Sequence, residues 1–182
     1  DAHRVGAAAE PASCLQMAAR TGSVLQGTTK AKQAKVHVLV RLWVNHLAAC
    51  ASGLPVTSVQ VGVDGQLVLR PLTVDAALAV LNRLASAYAS AWQAPLPVAC
   101  KTAWAYLLAC QQRAAQPDKS GKDPHELAQD TFEGGQWDGE RAESPYLQRA
   151  FENYVELEDS LPRWAQALYG DLLAALEPSG EA

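Results

Sequence analysis

Acidic side chains are missing from a long stretch near the start of the sequence. Between Pro11 and Val63 there is no Asp or Glu, although this stretch holds a lysine cluster and a long segment with helical periodicity. A metal-dependent phosphodiesterase binds Mg²⁺ through hard oxygen ligands, and the metal polarises the phosphate and activates water. The absence of carboxylates therefore excludes a magnesium centre built from this stretch.

Cysteine is also sparse, and its spacing excludes other kinds of site. Cys14, Cys50, Cys100 and Cys110 form no CxxC pair and do not group with histidines, so neither a zinc site nor a disulfide framework is predicted. His46 and Cys50 have helical i, i+4 spacing, but two ligands are too few for a metal. No GxSxG, HExxH, P-loop or GxGxxG motif occurs. The chain is therefore predicted not to be an enzyme by itself, with no catalytic residue and no metal.

Long uninterrupted apolar runs and a signal peptide pattern are absent as well. Arg, His or Asn interrupts the longest apolar runs, so no membrane span is predicted. The sequence begins with Asp1, and we expect a soluble fragment of a longer cytoplasmic protein.

The charges that are present are divided unevenly along the chain. Residues 1–114 carry ten Lys and Arg against four Asp and Glu, whereas residues 115–182 carry five against fifteen. The first part could face a polyanion that the second part would repel. The acids Asp138, Glu140 and Glu143 lie in a glycine-rich segment, where solvated surface charge is the expected role.

Periodicity and turn residues predict one mixed α/β domain over residues 20–176. Residues 1–19 are expected to form a loose lead-in segment that could include the end of a strand, residues 116–143 a loop, and residues 177–182 a tail. A hairpin is predicted around Asp64 and Gly65. Helices are predicted over residues 35–51, 73–92, 102–113 and 161–176, and another is expected to begin at Ser144 and Pro145.

Apolar spacing also predicts which helix faces are buried. In the first helix the inward residues should be Val36, Val40, Trp43, Leu47 and Cys50, and in the second Leu78, Leu81, Ala85 and Tyr88.

Five tryptophans raise the question of base stacking. Trp43, Trp92, Trp104 and Trp164 lie on apolar faces or at the ends of predicted helices, so core packing is the expected role. Trp137 lies in the glycine-rich segment and is expected to be exposed, where it could contact a partner protein.

Several phrases occur in a distinctive order along the chain. They are GSVLQG (22–27), LWVNHL (42–47), ACA (49–51), PL (71–72), APLPVACKTAWAYL (94–107), FEG (132–134), GE (139–140), SPY (144–146) and ALYG (167–170). In this order they resemble the C-terminal domain of the gamma chain of exodeoxyribonuclease V, the RecC subunit of the RecBCD helicase–nuclease. The resemblance covers residues 20–175, and no single phrase is a catalytic signature.

The resemblance implies a degenerate PD-(D/E)XK (restriction-endonuclease-like) nuclease fold, with a small mixed sheet flanked by several helices. The active sister subunit of that complex carries an Asp after a Gly-hydrophobic pair, then a strand ending in Asp-x-Lys, then a helix. Here residues 25–32 read LQGTTKAK, so threonines and lysines stand where the acids would be. The resemblance therefore agrees with the absence of carboxylates between Pro11 and Val63.

For function, the resemblance implies a non-catalytic module that holds RecB-like and RecD-like subunits together and guides separated DNA strands. The setting would be double-strand break repair by recombination in the bacterial cytoplasm. ATP and Mg²⁺ would belong to the sister subunits, so this domain should need no cofactor. The DNA-contact candidates are Lys30, Lys32, Lys35 and Arg41 near the start of the first helix, and Lys101 just before the third.

Three alternatives remain open at this point. Each of these basic residues could simply be solvated. The domain could be a protein–protein interaction module without DNA contact. It could also be an active magnesium-dependent nuclease, which the missing carboxylates disfavour.

Overall fold

The computed structural model describes residues 14–28, 31–118 and 121–177. This part of the chain is a mixed α/β structure with small sheets and several helices, as the sequence predicts. The strands are β1 (Cys14–Ala19), β2 (Leu25–Thr28), β3 (Ala31–Ala34), β4 (Val56–Gly62) and β5 (Gly65–Leu69). The helices are α1 (Val36–Ala51), α2 (Val74–Ala91), α3 (Cys100–Ala115), α4 (Pro124–Glu133), α5 (Glu140–Glu143), α6 (Pro145–Ala150), α7 (Val155–Glu158), α8 (Leu161–Ala165) and α9 (Asp171–Ala175), with a π-helical turn (Gln166–Gly170) between the last two.

The larger sheet has three strands in the order β1–β4–β5. β1 runs parallel to β4, with Met17 opposite Val59, and β4 runs antiparallel to β5. The predicted hairpin is confirmed, and Gly65 has a φ of +149°, a conformation that favours glycine. Because parallel strands need a crossover, the β2–β3 hairpin and α1 lie between β1 and β4 in the chain.

The expectation of a loose lead-in segment over residues 1–19 is wrong for residues 14–19, which form β1. The strand was hard to predict because its inward positions are small or polar, whereas Leu15 and Met17 are exposed. Residues 1–13 lie outside the described residues, and the domain limits at 20 and 176 stay predictions.

α1 lies in the main core and contacts both β4 and α2. Val36, Trp43, Leu47 and Cys50 are buried as predicted, whereas Val40 is exposed. His46 on the same helix is fully buried: its Nε2 donates to the Arg70 carbonyl over 3.1 Å, and its Nδ1 lies 2.9 Å from Ser58 Oγ. These polar partners join α1 to β4 and to the end of β5.

α2 begins at its predicted cap, where Thr73 Oγ1 accepts from the Ala76 amide over 3.3 Å. Its orientation differs from the prediction, because Leu78, Ala85 and Tyr88 are exposed and Leu81 is only partly buried. Residues on a different face are buried instead: Ala77, Val80 and Ala87. Both faces of this helix carry apolar residues, and small alanines allow close approach to a neighbouring helix.

The predicted loop over residues 116–143 is wrong for most of its length. It contains α4, whose N-terminus is a capping box formed by Asp123 and Glu126 with Pro124 in the first turn. α4 buries Ala128 and Phe132 in a second core, which also contains residues of α3, α7 and α8. α3 joins the two cores, because it contributes Trp104 to the main core and Leu107 to the second.

The predicted last helix is divided into α8, the π-helical turn and α9. Its end completes the main core and meets the sheet. Leu172 and Ala175 are buried in the main core, and Leu176 forms a bridge with Leu69 of β5. The Glu177 amide donates to the Val68 carbonyl over 3.0 Å.

Candidate nucleic-acid interface

Three cations lie near His37 at the start of α1, and we call Arg20, Lys35 and Lys101 the basic cluster. Partial burial lowers the pKa of the His37 imidazole, and the charges of Lys101, Arg20 and Lys35 lower it further. The three residues come from the end of β1, the start of α1 and the start of α3. The fold therefore concentrates positive charge that is dispersed in the sequence.

Lys35 is held in place on both its backbone and its side chain. Its amide donates to the Val24 carbonyl over 2.9 Å, and its ammonium group donates to Ser23 Oγ. Nearby, Trp104 Nε1 donates to the Ala34 carbonyl over 3.0 Å. The segment leading into α1 is thus fixed against both β2 and α3.

Two acids from the C-terminal part of the chain reach Lys101. The Glu143 carboxylate forms an ion pair with the Lys101 ammonium group. Glu140 was expected to be solvated but is buried: it accepts from the Lys101 amide over 2.9 Å, the Thr102 amide over 2.8 Å and Thr102 Oγ1 over 2.9 Å. Because Ala99 supplies no side-chain cap to α3, Glu140 takes that role. Lys101 is consequently the least free cation of the basic cluster.

Acids elsewhere near the basic cluster are also engaged. Asp64, the first acid after the carboxylate-free stretch, accepts from the Val24 amide over 2.7 Å and the Leu25 amide over 3.1 Å. The Val24 bond is the main reason why the Asp64 pKa is lowered. Within residues 14–28, 31–118 and 121–177, no group of three or more His, Cys, Asp or Glu side chains is arranged to hold a metal ion.

A polar cleft lies between β1 and α1, next to the basic cluster. It has a volume of about 520 Å³, and Arg20 and Arg41 line it together with Gln16, Asn45 and Gln60. Its lining contains no acidic residue. Guanidinium and amide donors on such a surface can bind phosphate oxygens.

The predicted DNA-contact residues are only partly brought together. Lys35 and Lys101 both lie near His37 in the basic cluster, and Arg41 lines the cleft together with Arg20. Lys32 is exposed on β3 and lines a different cavity, and Lys30 lies outside the described residues. Arg20 was missed, because nothing in its local sequence distinguishes it from other surface arginines.

Trp137 is 82% exposed at the tip of a tight loop, residues 134–139, which we call the tryptophan loop. The loop closes through a bridge between Gly134 and Asp138, and the Gly135 amide donates to the Trp137 carbonyl over 3.0 Å. Gly134 has a φ of +82°, and a side chain on Gly139 would collide with the backbone of Gly134. The backbone thus fixes the position of an exposed aromatic side chain.

The other tryptophans follow the core prediction with one exception. Trp43 and Trp104 are buried, and Trp164 is partly buried beside the Arg163 guanidinium. The prediction for Trp92 is wrong, because 74% of this residue is exposed. Its ring meets that of Tyr88 edge-on, with ring centroids 6.0 Å apart.

Comparison with known proteins gives one family match. Residues 10–111 match a family model described as the RecC C-terminal domain. No curated protein matches the chain. Among the residues that the structure describes, no helix is long and apolar enough to cross a membrane.

Proposed function

Because the chain belongs to the RecC C-terminal domain family, we propose that it is a non-catalytic module of the bacterial RecBCD helicase–nuclease in the cytoplasm. In this role it contacts RecB-like and RecD-like subunits and guides DNA strands along the face that carries Arg20 and Arg41. The carrying observation is the acid-free cleft beside the basic cluster.

We further propose that the fold is a degenerate PD-(D/E)XK nuclease fold. Two features support this: a β-hairpin followed directly by α1, and the acid-free sequence of that hairpin. Three acids in contact with residues next to the hairpin or with Lys101 are already engaged: Asp64 and Glu140 accept from backbone amides, and Glu143 forms an ion pair with Lys101. They thus support a role without metal-dependent hydrolysis, in which ATP and Mg²⁺ belong to the sister subunits.

The DNA-guiding role is tested by removing the two cleft arginines in the assembled complex. DNA binding constants fall with salt concentration on a plot of their logarithms, with a slope of about one for each phosphate contacted. If Arg20 and Arg41 each contact a phosphate, the double variant Arg20→Ala with Arg41→Ala should make this slope shallower by about 2. The matched control is Arg149→Ala with Arg163→Ala, which removes two exposed arginines from the acidic part of the chain. Binding is measured on forked duplex DNA between low and physiological salt.

An unchanged slope in a normally assembled complex would favour a second candidate, a protein–protein interaction module without DNA contact. Lys35 donates to Ser23, and Lys101 forms an ion pair with Glu143. These contacts favour this candidate, because they leave fewer cations free to bind DNA phosphates. The exposed Trp137 would then be a partner contact.

The non-catalytic role has its own test. Incubation of the chain with linear DNA and Mg²⁺ should give no cleavage. EDTA-sensitive cleavage that is lost in Asp138→Asn or Glu143→Gln would show an active nuclease.

A further inference from the structure

A second polar cleft opens beside the tryptophan loop, and we call it the tryptophan cleft. It has a volume of about 510 Å³. The tryptophan loop lines it with Trp137 and Asp138, and most of the remaining lining residues come from α3, α4 and α5. The tryptophan cleft shares no lining residue with the cleft that Arg20 and Arg41 line, so it is a separate surface of the molecule.

The lining of the tryptophan cleft has an excess of negative charge. Two lysines line it, Lys101 and Lys122, against four acids, Asp130, Asp138, Glu140 and Glu143. Both lysines are already paired, because Lys101 forms an ion pair with Glu143 and Lys122 forms one with Asp130. The buried Glu140 accepts hydrogen bonds at the start of α3. The cleft therefore attracts cations and repels the phosphates of a nucleic acid.

Asp138 is the acid of this lining that is still available. Its side chain is exposed, and its carboxylate has no hydrogen-bond or ion-pair partner among residues 14–28, 31–118 and 121–177. It directly follows Trp137, whose side chain is 82% exposed. Because the loop is closed between Gly134 and Asp138, its backbone gains little order when a ligand binds. A docking cation thus meets a carboxylate and an aromatic ring on one fixed loop.

A guanidinium group fits this pair of side chains better than an ammonium group does. It is planar and weakly hydrated, so it stacks on an aromatic ring while its forked donors bind a carboxylate. Tryptophan attracts cations to its ring face more strongly than the other aromatic side chains do. Trp137 and Asp138 together therefore indicate an arginine side chain as the ligand.

Composition and charge indicate another protein as the source of this arginine. Among the residues that the structure describes, no arginine lines the tryptophan cleft. Outside those residues the sequence contains one arginine, Arg4, in a stretch that also carries Asp1 and Glu10. A two-fold contact between copies of this chain would bring the same surface against itself, so that like charges would face each other. A basic segment of another protein meets neither obstacle.

We propose that the tryptophan cleft binds an arginine side chain of another protein in the assembly, with its guanidinium group against the Trp137 ring and the Asp138 carboxylate. The inference rests on the proposed function, because it takes the domain to be part of a multi-subunit complex. It adds the surface, the side chain that is recognised and the two residues that bind it.

The chemistry is tested on the chain alone with N-acetylarginine amide, and with N-acetylcitrulline amide as an uncharged probe of the same shape. Binding is followed by NMR through the indole N–H signal of Trp137, which is identified by its loss in Trp137→Phe. The arginine probe should shift this signal in a saturable way, and the citrulline probe should not. No shift, or equal shifts with both probes, would overturn the inference.

Matched variants test the role of the carboxylate. Asp138→Asn should weaken binding of the arginine probe about threefold, whereas Asp159→Asn removes an exposed acid outside the cleft and should leave binding unchanged. Equal binding in Asp138→Asn would contradict the proposed contact. Arg4→Ala should leave the Trp137 signal of the free chain in place, and a change would show that the arginine comes from this chain itself.

Crosslinking in the assembled complex identifies the source of the arginine. Photoreactive benzoylphenylalanine at position 136, which lines the cleft, should crosslink to one arginine-bearing segment of another protein. The same group at position 159 should not give this product. Crosslinks to a second copy of this chain, to the chain itself or to DNA, or the absence of a crosslink in the complex, would overturn the inference. If the chain binds the arginine probe but does not join the complex, it is the proposed function that fails.

Discussion

The two parts of the chain that differ in formal charge also use their charges differently. In the first part, Arg20 and Arg41 line a cleft without acidic neighbours in its lining. In the second part, carboxylates accept hydrogen bonds from backbone amides. Asp123 accepts from an amide at the start of α4, and Glu140 from an amide at the start of α3. Glu133 accepts from the Tyr154 amide, and Glu156 accepts from the amides of Glu152 and Asn153.

This difference shows that the formal charge of a region does not by itself tell what its charged side chains do. The excess of acids after residue 115 indicates a surface that repels DNA, yet several of these acids cap helices or turns. Short helices have many free amides relative to their length, so a region built from them needs many acceptors. The acidic composition is thus partly a requirement of the fold.

Replacing Glu140 by Ala should cause the largest loss of stability among the substitutions that test this difference between the two parts of the chain. The substitution leaves two amides and the Thr102 hydroxyl without their acceptor, and we expect unfolding to become easier by about 3 kcal/mol. Urea denaturation measures the change. Glu143→Gln is the matched control, because it removes only an exposed ion pair and should cost less than about 1 kcal/mol. Equal losses would show that Glu140 is an ordinary surface acid.

Adding a methyl group to Gly139 should have the next largest effect. A Cβ at Gly139 would meet the backbone of Gly134 and Phe132, so Gly139→Ala should destabilise the chain by about 2 kcal/mol. Gly135 in the same loop has open space around it, so Gly135→Ala should be nearly neutral. Thermal unfolding compares the two. A neutral Gly139→Ala would mean that the tryptophan loop is not closed as described.

The buried His46 should give a smaller, pH-dependent effect in the first part of the chain. Burial lowers the His46 pKa below its ordinary value, so as the pH falls below about 6.5 the unfolded chain binds a proton that the folded chain does not. The free energy of unfolding should therefore decrease from pH 7 to pH 5.5, by on the order of 1 kcal/mol from this residue.

His46→Gln should flatten this pH dependence, while His37→Gln, at an exposed position, should change it less. The measurement is urea denaturation at several pH values. An unchanged slope in His46→Gln would show that other groups cause the dependence.

The sequence predicts elements well where one signal dominates. α1 follows from its three- and four-residue apolar spacing, and the β4–β5 hairpin from Asp64 and Gly65. α2 was predicted in the right place but facing the wrong way, because periodicity cannot choose between two apolar faces. α4 was missed although its capping box is visible in the sequence, since its polar residues outnumber the apolar ones.

The candidate site was predictable only in part. Lys35 and Arg41 follow from their positions near the start of a confirmed helix. The approach of Arg20 and Lys101 depends on tertiary packing between β1, α1 and α3, which no local pattern encodes. For the same reason, the capping of α3 by Glu140 could not be foreseen from a segment that is rich in glycine.

The bridge between Leu69 and Leu176 has a consequence for how the protein is made. Residues 172–176 cover the β5 edge of the larger sheet, and the strands of that sheet leave the ribosome much earlier than these residues do. Until they emerge, the nascent chain presents an open strand edge and an unfilled hydrophobic core, the two features that most promote aggregation. Stable folding should therefore be delayed until almost the whole domain has been translated, and a chain truncated after residue 111 should need chaperones to stay in solution.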